Sequence, residues 1–259
     1  MRLENHAEFK LSITKALGDQ LADALDNLTP AQLTMENIQS LRPLPGVYQL
    51  YHGEKLVYVG KADRSLPRRI EKHFRKISGR TNIDITEMSF TCLYVDEDFG
   101  AVAPERLLIN KHRGQGEVPW NYNGFGNNDP GKRRDTTVVD HEHFDRTYPI
   151  DLEFRLSELL SLEPAMDGTV TLASLLTATK AALPYVFRYE SSSIFEEVRV
   201  PHPNDGVTAD EILRITASHL PSHWQITALP GYVIMYGKRE PYPSAIRYYR
   251  NDAVIDATE

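Results

Sequence analysis

The chain of 259 residues contains one cysteine, Cys92. A lone thiol excludes an internal disulfide and a cysteine-based zinc site, and its position in an apolar run predicts burial in the core. No apolar run reaches the roughly 18 residues that a membrane-crossing helix needs. The opening residues, Met1 to Lys10, are charged and lack the apolar block of a signal peptide. A soluble chain with a cytoplasmic location and no membrane partner is therefore expected. Positive charge is scarce too, the net charge being −7. That argues against a protein that coats polyanions through bulk charge, because such affinity rises with clustered Lys and Arg. The sequence also lacks internal repeats and low-complexity tracts.

What is present is 41% apolar residues, enough for an ordinary packed core in one large domain or two small ones. Charge is unevenly spread. Residues 151–259 hold 9 Lys and Arg against 15 Asp and Glu, which leaves residues 1–150 close to neutral. Within that first part, Lys61, Arg64, Arg68, Arg69, Lys72, Arg75, Lys76 and Arg80 stand against only Asp63 and Glu71 between positions 61 and 80. A local basic face is available despite the overall acidity.

Periodicity predicts an amphipathic helix over 4–27, carried by Phe9, Leu11, Ile13, Leu17, Leu21 and Leu25. Thr29-Pro30 is expected to open a second, shorter helix to about Ser40, and Pro43 and Pro45 end this prelude. Two apolar runs, Gly46 to Tyr51 and Lys55 to Val59, flank His52-Gly53-Glu54 and read as a β-hairpin with a glycine turn. Leu66, Ile70, Phe74 and Ile77 recur at helical spacing, giving a helix with one apolar stripe and a basic remainder. A strand over Met88 to Val95 and a helix over Val102 to Lys111 follow. The order is β-β-α-β-α. Gly114 to Asp135, rich in Gly, Asn, Asp and Pro, reads as a loop pinned by Trp120 and Phe125. Beyond about Ile150 the pattern is α+β. Helical stretches are expected at Leu152 to Leu162 and Leu172 to Leu183, and strands at Tyr185 to Tyr189 and Phe195 to Val200. A capping box at Thr208 to Glu211 opens a helix to about His219, and Trp224 to Ala228 with Tyr232 to Tyr236 form a hairpin. Three segments result: 1–42 helical, 43–149 carrying the motifs below, and 150–259 a module for dimerisation or target recognition.

Gly46-Val47-Tyr48 and Tyr58-Val59-Gly60 are each expected to end a strand, ten residues apart, so that the two tyrosines lie side by side. Arg69 and His73 are four apart on the next helix and share a face. Glu105 rises from the helix after that. This ordered set resembles the GIY-YIG nuclease family, whose two motifs stand here as GVY and YVG. The family's Arg-x-x-x-His helix stands as Arg69 to His73, its metal-binding glutamate as Glu105, and Lys61 matches the lysine that often follows the second motif. The segment Pro119 to Gly126 is similar to the type II restriction-endonuclease branch, in which an asparagine completes the site. Asn121 is the matching position and Asn123 the alternative.

The resemblance implies an α+β fold with a small mixed sheet flanked by helices, and a site-specific restriction-type endonuclease that hydrolyses double-stranded DNA with one Mg²⁺, for which Mn²⁺ can substitute. It also implies a homodimer and no nucleotide cofactor. Phosphodiester hydrolysis needs an activated water, compensation for phosphate charge and help for the leaving oxygen. Tyr48 would take the water's proton with assistance from Lys61, Arg69 or His73, since a free phenol has a pKa of about 10. Tyr58 would position phosphate or water, Arg69 would stabilise the transition state, and His73 would accept a proton or bind phosphate. Lys61 is weighed toward the base or phosphate over a surface ion pair. Glu105 would hold the metal. Arg64, Arg68, Lys72, Lys76, Lys132, Arg133 and Arg134 are candidate DNA contacts. The cluster Asp140 to Asp145 has no established metal spacing and is read as surface. Tyr242, Tyr248 and Tyr249 with Arg247 and Arg250 read as core before nucleic-acid contact. A repair or mobile-element nuclease, a nuclease acting on RNA, and a non-catalytic DNA-binding protein are the competing readings.

Overall fold

In the computed structural model, residues 13–95, 104–113, 118–126, 131–157, 162–251 and 253–257 are described. The chain divides into two compact units, one of residues 1–74 and 86–122 and one of residues 75–85 and 123–259.

The first unit comprises α1 (Ile13–Asp26), β1 (Ala31–Gln32), α2 (Met35–Gln39), β2 (Gly46–His52), β3 (Lys55–Ala62), the start of α3 (Leu66–Ser78), β4 (Met88–Tyr94) and α4 (Pro104–Arg113). The parts of the predicted first and fourth helices at residues 4–12 and 102–103 lie outside the described residues. The strands form one sheet in the order β1-β4-β2-β3. Its pairs are all antiparallel rather than mixed, because a two-residue turn at Gly53-Glu54 folds β3 back on β2, with Gly53 at φ 57°. The helix expected from Thr29 starts later. Ala31 and Gln32 pair with Phe90 and Ser89 as strand, and the helix opens only where the Thr34 hydroxyl accepts from Asn37 N.

One sheet face packs Val47 and Val59 against Ala22 and Leu25 of α1 and Leu108 of α4. α3 covers the other. Its buried stripe is Leu66, Ile70, His73 and Ile77, so a histidine takes the place that periodicity gave to Phe74.

The second unit contains a five-stranded sheet, β11-β10-β8-β9-β6, built from β6 (Val186–Tyr189), β8 (Gln225–Ala228), β9 (Tyr232–Tyr236), β10 (Arg247–Arg250) and β11 (Ala253–Asp256). β6 and β9 are parallel and the other pairs antiparallel. After the short α5 (Phe144–Thr147), α6 (Leu172–Ala182) and α8 (Ala209–Ser218) bury Leu175, Leu176, Ile212 and Leu213 with Phe187, Ile226, Val233 and Met235. The Thr208 capping box is complete on both sides. The stretch expected as helix at Leu152 to Leu162 is turn and bridge through 157, Arg155 pairing with Thr208, and residues 158–161 lie outside the described residues. Phe195 belongs to a helical turn, α7 (Ile194–Glu197), and only Arg199–Pro201 is strand, β7, paired with β5 (Thr169–Thr171). Tyr249 is fully buried and Tyr242 nearly so, which makes them core. No helix among the described residues is long and apolar enough to cross a membrane.

Candidate active site

The two glycines of the paired motifs are steric requirements. Tyr48 stands opposite Gly60 across the β2–β3 ladder, and its ring lies over that glycine, so a side chain at 60 would collide with the phenol. One at 46 would collide with the Leu93 carbonyl and the Leu66 side chain. GVY opens β2 rather than closing it, and antiparallel pairing brings that start to the end of β3. Tyr58 stands opposite Leu50, hence two residues diagonally from Tyr48 on the same face, with ring centroids 6.1 Å apart.

α3 brings Arg69 and His73 to this face. Tyr48 Oη lies 2.6 Å from His73 Nε2, and Arg69 Nε donates to the same oxygen at 3.2 Å. The His73 ring also lies against Tyr58, with centroids 5.3 Å apart. Burial pushes the pKa of both phenols up, only partly opposed by Arg69, so both are protonated at neutral pH. The guanidinium can only donate, so at that contact the Tyr48 oxygen is the acceptor. The ring nitrogen lies within reach of the phenol proton.

Glu105 occupies the first turn of α4 and is half-buried. Burial raises its carboxyl pKa, opposed by the charges of Arg69 and Lys61. It accepts no hydrogen bond among the described residues. A desolvated carboxylate without donors suits one hard cation completed by waters and substrate oxygens, and among the described residues no group of three or more His, Cys, Asp or Glu could hold a metal alone. Lys61 pairs with exposed Asp63 at 2.8 Å, so the surface ion pair disfavoured from sequence is formed. Exposed pairs of this kind are weak and exchangeable.

Asn121 sits in a 3₁₀ turn, Pro119–Asn121, and both ends of its amide are taken. Oδ1 accepts from Val59 N at 2.9 Å and Nδ2 donates to Val59 O at 2.8 Å, while Val118 N donates to Leu56 O. The side chain therefore covers the open edge of β3 as a neighbouring strand would, a positioning role that the sequence does not reveal. Asn123 Oδ1 accepts from Phe125 N within the second unit.

The candidate DNA contacts divide. Arg64, Arg68 and Lys72 are exposed. Lys76 is half-buried: Nζ donates to Phe125 O at 2.7 Å above the Phe125 and Phe144 rings. Lys132 pairs with Glu190 at 3.1 Å over the Tyr236 ring, Arg134 bonds His143 Nε2 at 2.8 Å, and Arg133 is exposed. His143 is thereby committed to Arg134, and Asp145 to Arg80 at 3.0 Å. Sequence reasoning missed Asp135, whose buried carboxylate accepts from Arg188, Tyr232 and Tyr236, since its partners lie 53 to 101 residues away.

A tyrosine-bearing hairpin with Arg and His on the next helix and Glu on the one after defines a GIY-YIG nuclease module. More particularly, residues 46–153 match the family model described as the Eco29kI GIY-YIG domain, a type II restriction-endonuclease family. A match to a nuclease domain of restriction-endonuclease type supports a DNA endonuclease. Residues 154–259 lie outside the match, and comparison with curated proteins returned no match.

Proposed function

We propose that the protein is a restriction-type endonuclease that cuts double-stranded DNA at specific sites, using one divalent cation, Mg²⁺ or Mn²⁺, and acting as a homodimer. The observation that carries this reading is the Tyr48 hydroxyl, bonded at 2.6 Å to His73 Nε2 and at 3.2 Å to Arg69 Nε. A buried phenol with a raised pKa is a poor base on its own. Passing its proton to neutral His73 as it takes one from water avoids a free phenolate, and Arg69 supports charge on the oxygen throughout. Tyr48 and His73 together form the base, and His73 is its final acceptor.

Arg69 is always charged and, half-buried between the phenols and Glu105, stabilises the phosphate as negative charge grows. Tyr58, beside Tyr48 and His73, orients the attacked phosphate or water. Lys61 leaves Asp63 for a phosphate oxygen when DNA arrives. Glu105 holds the metal, which supplies charge stabilisation at the leaving oxygen. Arg64, Arg68 and Lys72 line the duplex backbone, whereas Lys76 serves the fold. Homodimerisation follows from the need to cut two strands of a two-fold symmetric site with equal active sites. The unmatched C-terminal residues extend recognition or hold the dimer, their acidity favouring protein contact.

The direct test is incubation of purified protein with plasmid and phage DNA, in Mg²⁺ or EDTA, beside Glu105→Ala. Discrete fragments that need Mg²⁺ and vanish in the variant, with DNA binding retained, are expected. Equal cleavage in EDTA, or full activity of Glu105→Ala, would overturn the metal assignment.

A further inference from the structure

Among the described residues, large exposed apolar side chains are few: Leu28, Leu44, Tyr122, Val138, Met166, Val186 and Ile255. Tyr122 is the one aromatic in this set, 54% exposed. Its backbone is far from loose. Tyr122 N donates to Pro119 O at 3.2 Å and Asn121 N to Val118 O at 3.1 Å. Val118 is fully buried in the left-handed region at φ 59°, a costly conformation for a β-branched residue. Trp120 is buried, and the Asn121 amide grips both sides of the Val59 peptide. Val59 lies between Tyr58 and Gly60. Tyr122 is thus held one residue from a two-pronged clamp on the strand that carries the reaction face.

We infer that Tyr122 is a DNA-contacting residue whose ring packs against the sugar of a backbone nucleotide of the bound duplex. The inference rests on the DNA-endonuclease reading and adds to it a contact of a different kind from the basic row. A rigid aromatic loses little conformational freedom on binding, and each deoxyribose of a duplex offers an apolar surface, so such contacts strengthen binding without carrying charge. Arg68 and Lys72 act through phosphate and counterion release, which shows in the salt dependence. The two contributions are therefore separable.

The test uses the full chain in EDTA, with fluorescence anisotropy on a labelled random-sequence duplex across a salt series. Tyr122→Ala should bind about tenfold more weakly than wild type, with an unchanged slope of log affinity against log salt, and Tyr122→Phe should bind as wild type. Arg68→Ala should lower that slope by about one. With Mg²⁺ and saturating enzyme, single-turnover cleavage by Tyr122→Ala should keep its rate while its half-saturating enzyme concentration rises. Wild-type affinity in Tyr122→Ala overturns the inference. So does weak binding by Tyr122→Phe, which would assign the contact to the hydroxyl, or a lowered melting temperature in Tyr122→Ala, which would assign the residue to the fold. Wild type that binds no duplex would sink the nuclease reading itself, a result distinct from all of these.

Discussion

Arg69 and Arg80 lie eleven positions apart, and the two units use them in opposite ways. Arg69 is half-buried in the first unit with Nε on the Tyr48 hydroxyl. Arg80 is buried in the second, donating to the carbonyls of Tyr148 and Pro230 and paired with Asp145 at 3.0 Å. The same contrast runs through both units. In the second, buried charges close on themselves: Asp135 with Arg188, Tyr232 and Tyr236, and Asp210 with Arg214, Arg247 and Tyr249. In the first, the polar side chains Tyr48, Arg69 and Glu105 converge while keeping chemical capacity unspent. A closed network serves stability; an open one must draw stability from elsewhere.

The largest expected effect tests the open side. Tyr48→Phe removes one oxygen that serves His73 and Arg69 together, and the single-turnover cleavage rate should fall by about a thousandfold with little change in DNA affinity. A loss below about tenfold would mean that water is activated elsewhere. The closed side should break differently. Arg80→Ala strands the Asp145 carboxylate and two backbone carbonyls, and should cost about 3 kcal/mol in urea unfolding of the second unit. Arg69→Ala, measured the same way, should cost under about 1 kcal/mol while abolishing cleavage. Equal destabilisation by the two would erase the distinction between the units.

Asn121 sharpens the comparison, because it is a closed pair at the border of an open site. Asn121→Ala frees both polar atoms of Val59 at the edge of β3, where water can replace them, so about 1 kcal/mol of stability should be lost. Cleavage should drop about tenfold through misplacement of Tyr58 and the following loop. Asn121→Asp is the diagnostic variant. It keeps the acceptor for Val59 N but places an oxygen against Val59 O, so it should be no better than alanine. Activity restored by Asp would show that the residue acts on substrate or metal.

Much of the first unit was legible because its signals are local. The hairpin follows from Gly53 between two apolar runs, α3 from its stripe, and the tyrosine pair from two motifs ten residues apart on adjacent strands. The second unit was less legible. β10 and β11 carry no clear alternation, and Asp135 and Arg80 read as surface charges until partners far along the chain close around them. The same limit applies within the site: the resemblance singles out Asn121 but does not show that both ends of its amide are engaged by Val59. The intramolecular partners of Lys76 were illegible for a related reason. Its charge is legible, but the aromatic pair beneath it is assembled from Phe125 and Phe144.

The smallest expected effect separates two carboxylates by sign. Burial raises the Glu105 pKa in the folded state. A carboxyl raised above its unfolded value contributes stability at low pH and loses it as pH rises through the folded value, so at neutral pH the charged Glu105 is a cost. Asp210 is the reverse. Burial opposes its charge, but hydrogen bonds from Tyr249, Arg214 and Arg247 outweigh it and hold the pKa low, so its contribution is present at neutral pH and lost on acidification. Glu105→Gln should therefore raise unfolding stability at neutral pH by up to about 1 kcal/mol, discounted for partial exposure, with the gain fading in acid. Asp210→Asn should lower stability at neutral pH, with the difference shrinking in acid. Mg²⁺ should stabilise wild type but not Glu105→Gln, since a cation that binds only the folded carboxylate offsets the cost of burying it. Denaturation midpoints at neutral and acid pH, with and without Mg²⁺, decide the matter. A Glu105→Gln variant less stable than wild type at neutral pH would place Glu105 among the closed networks and remove the metal site from the first unit.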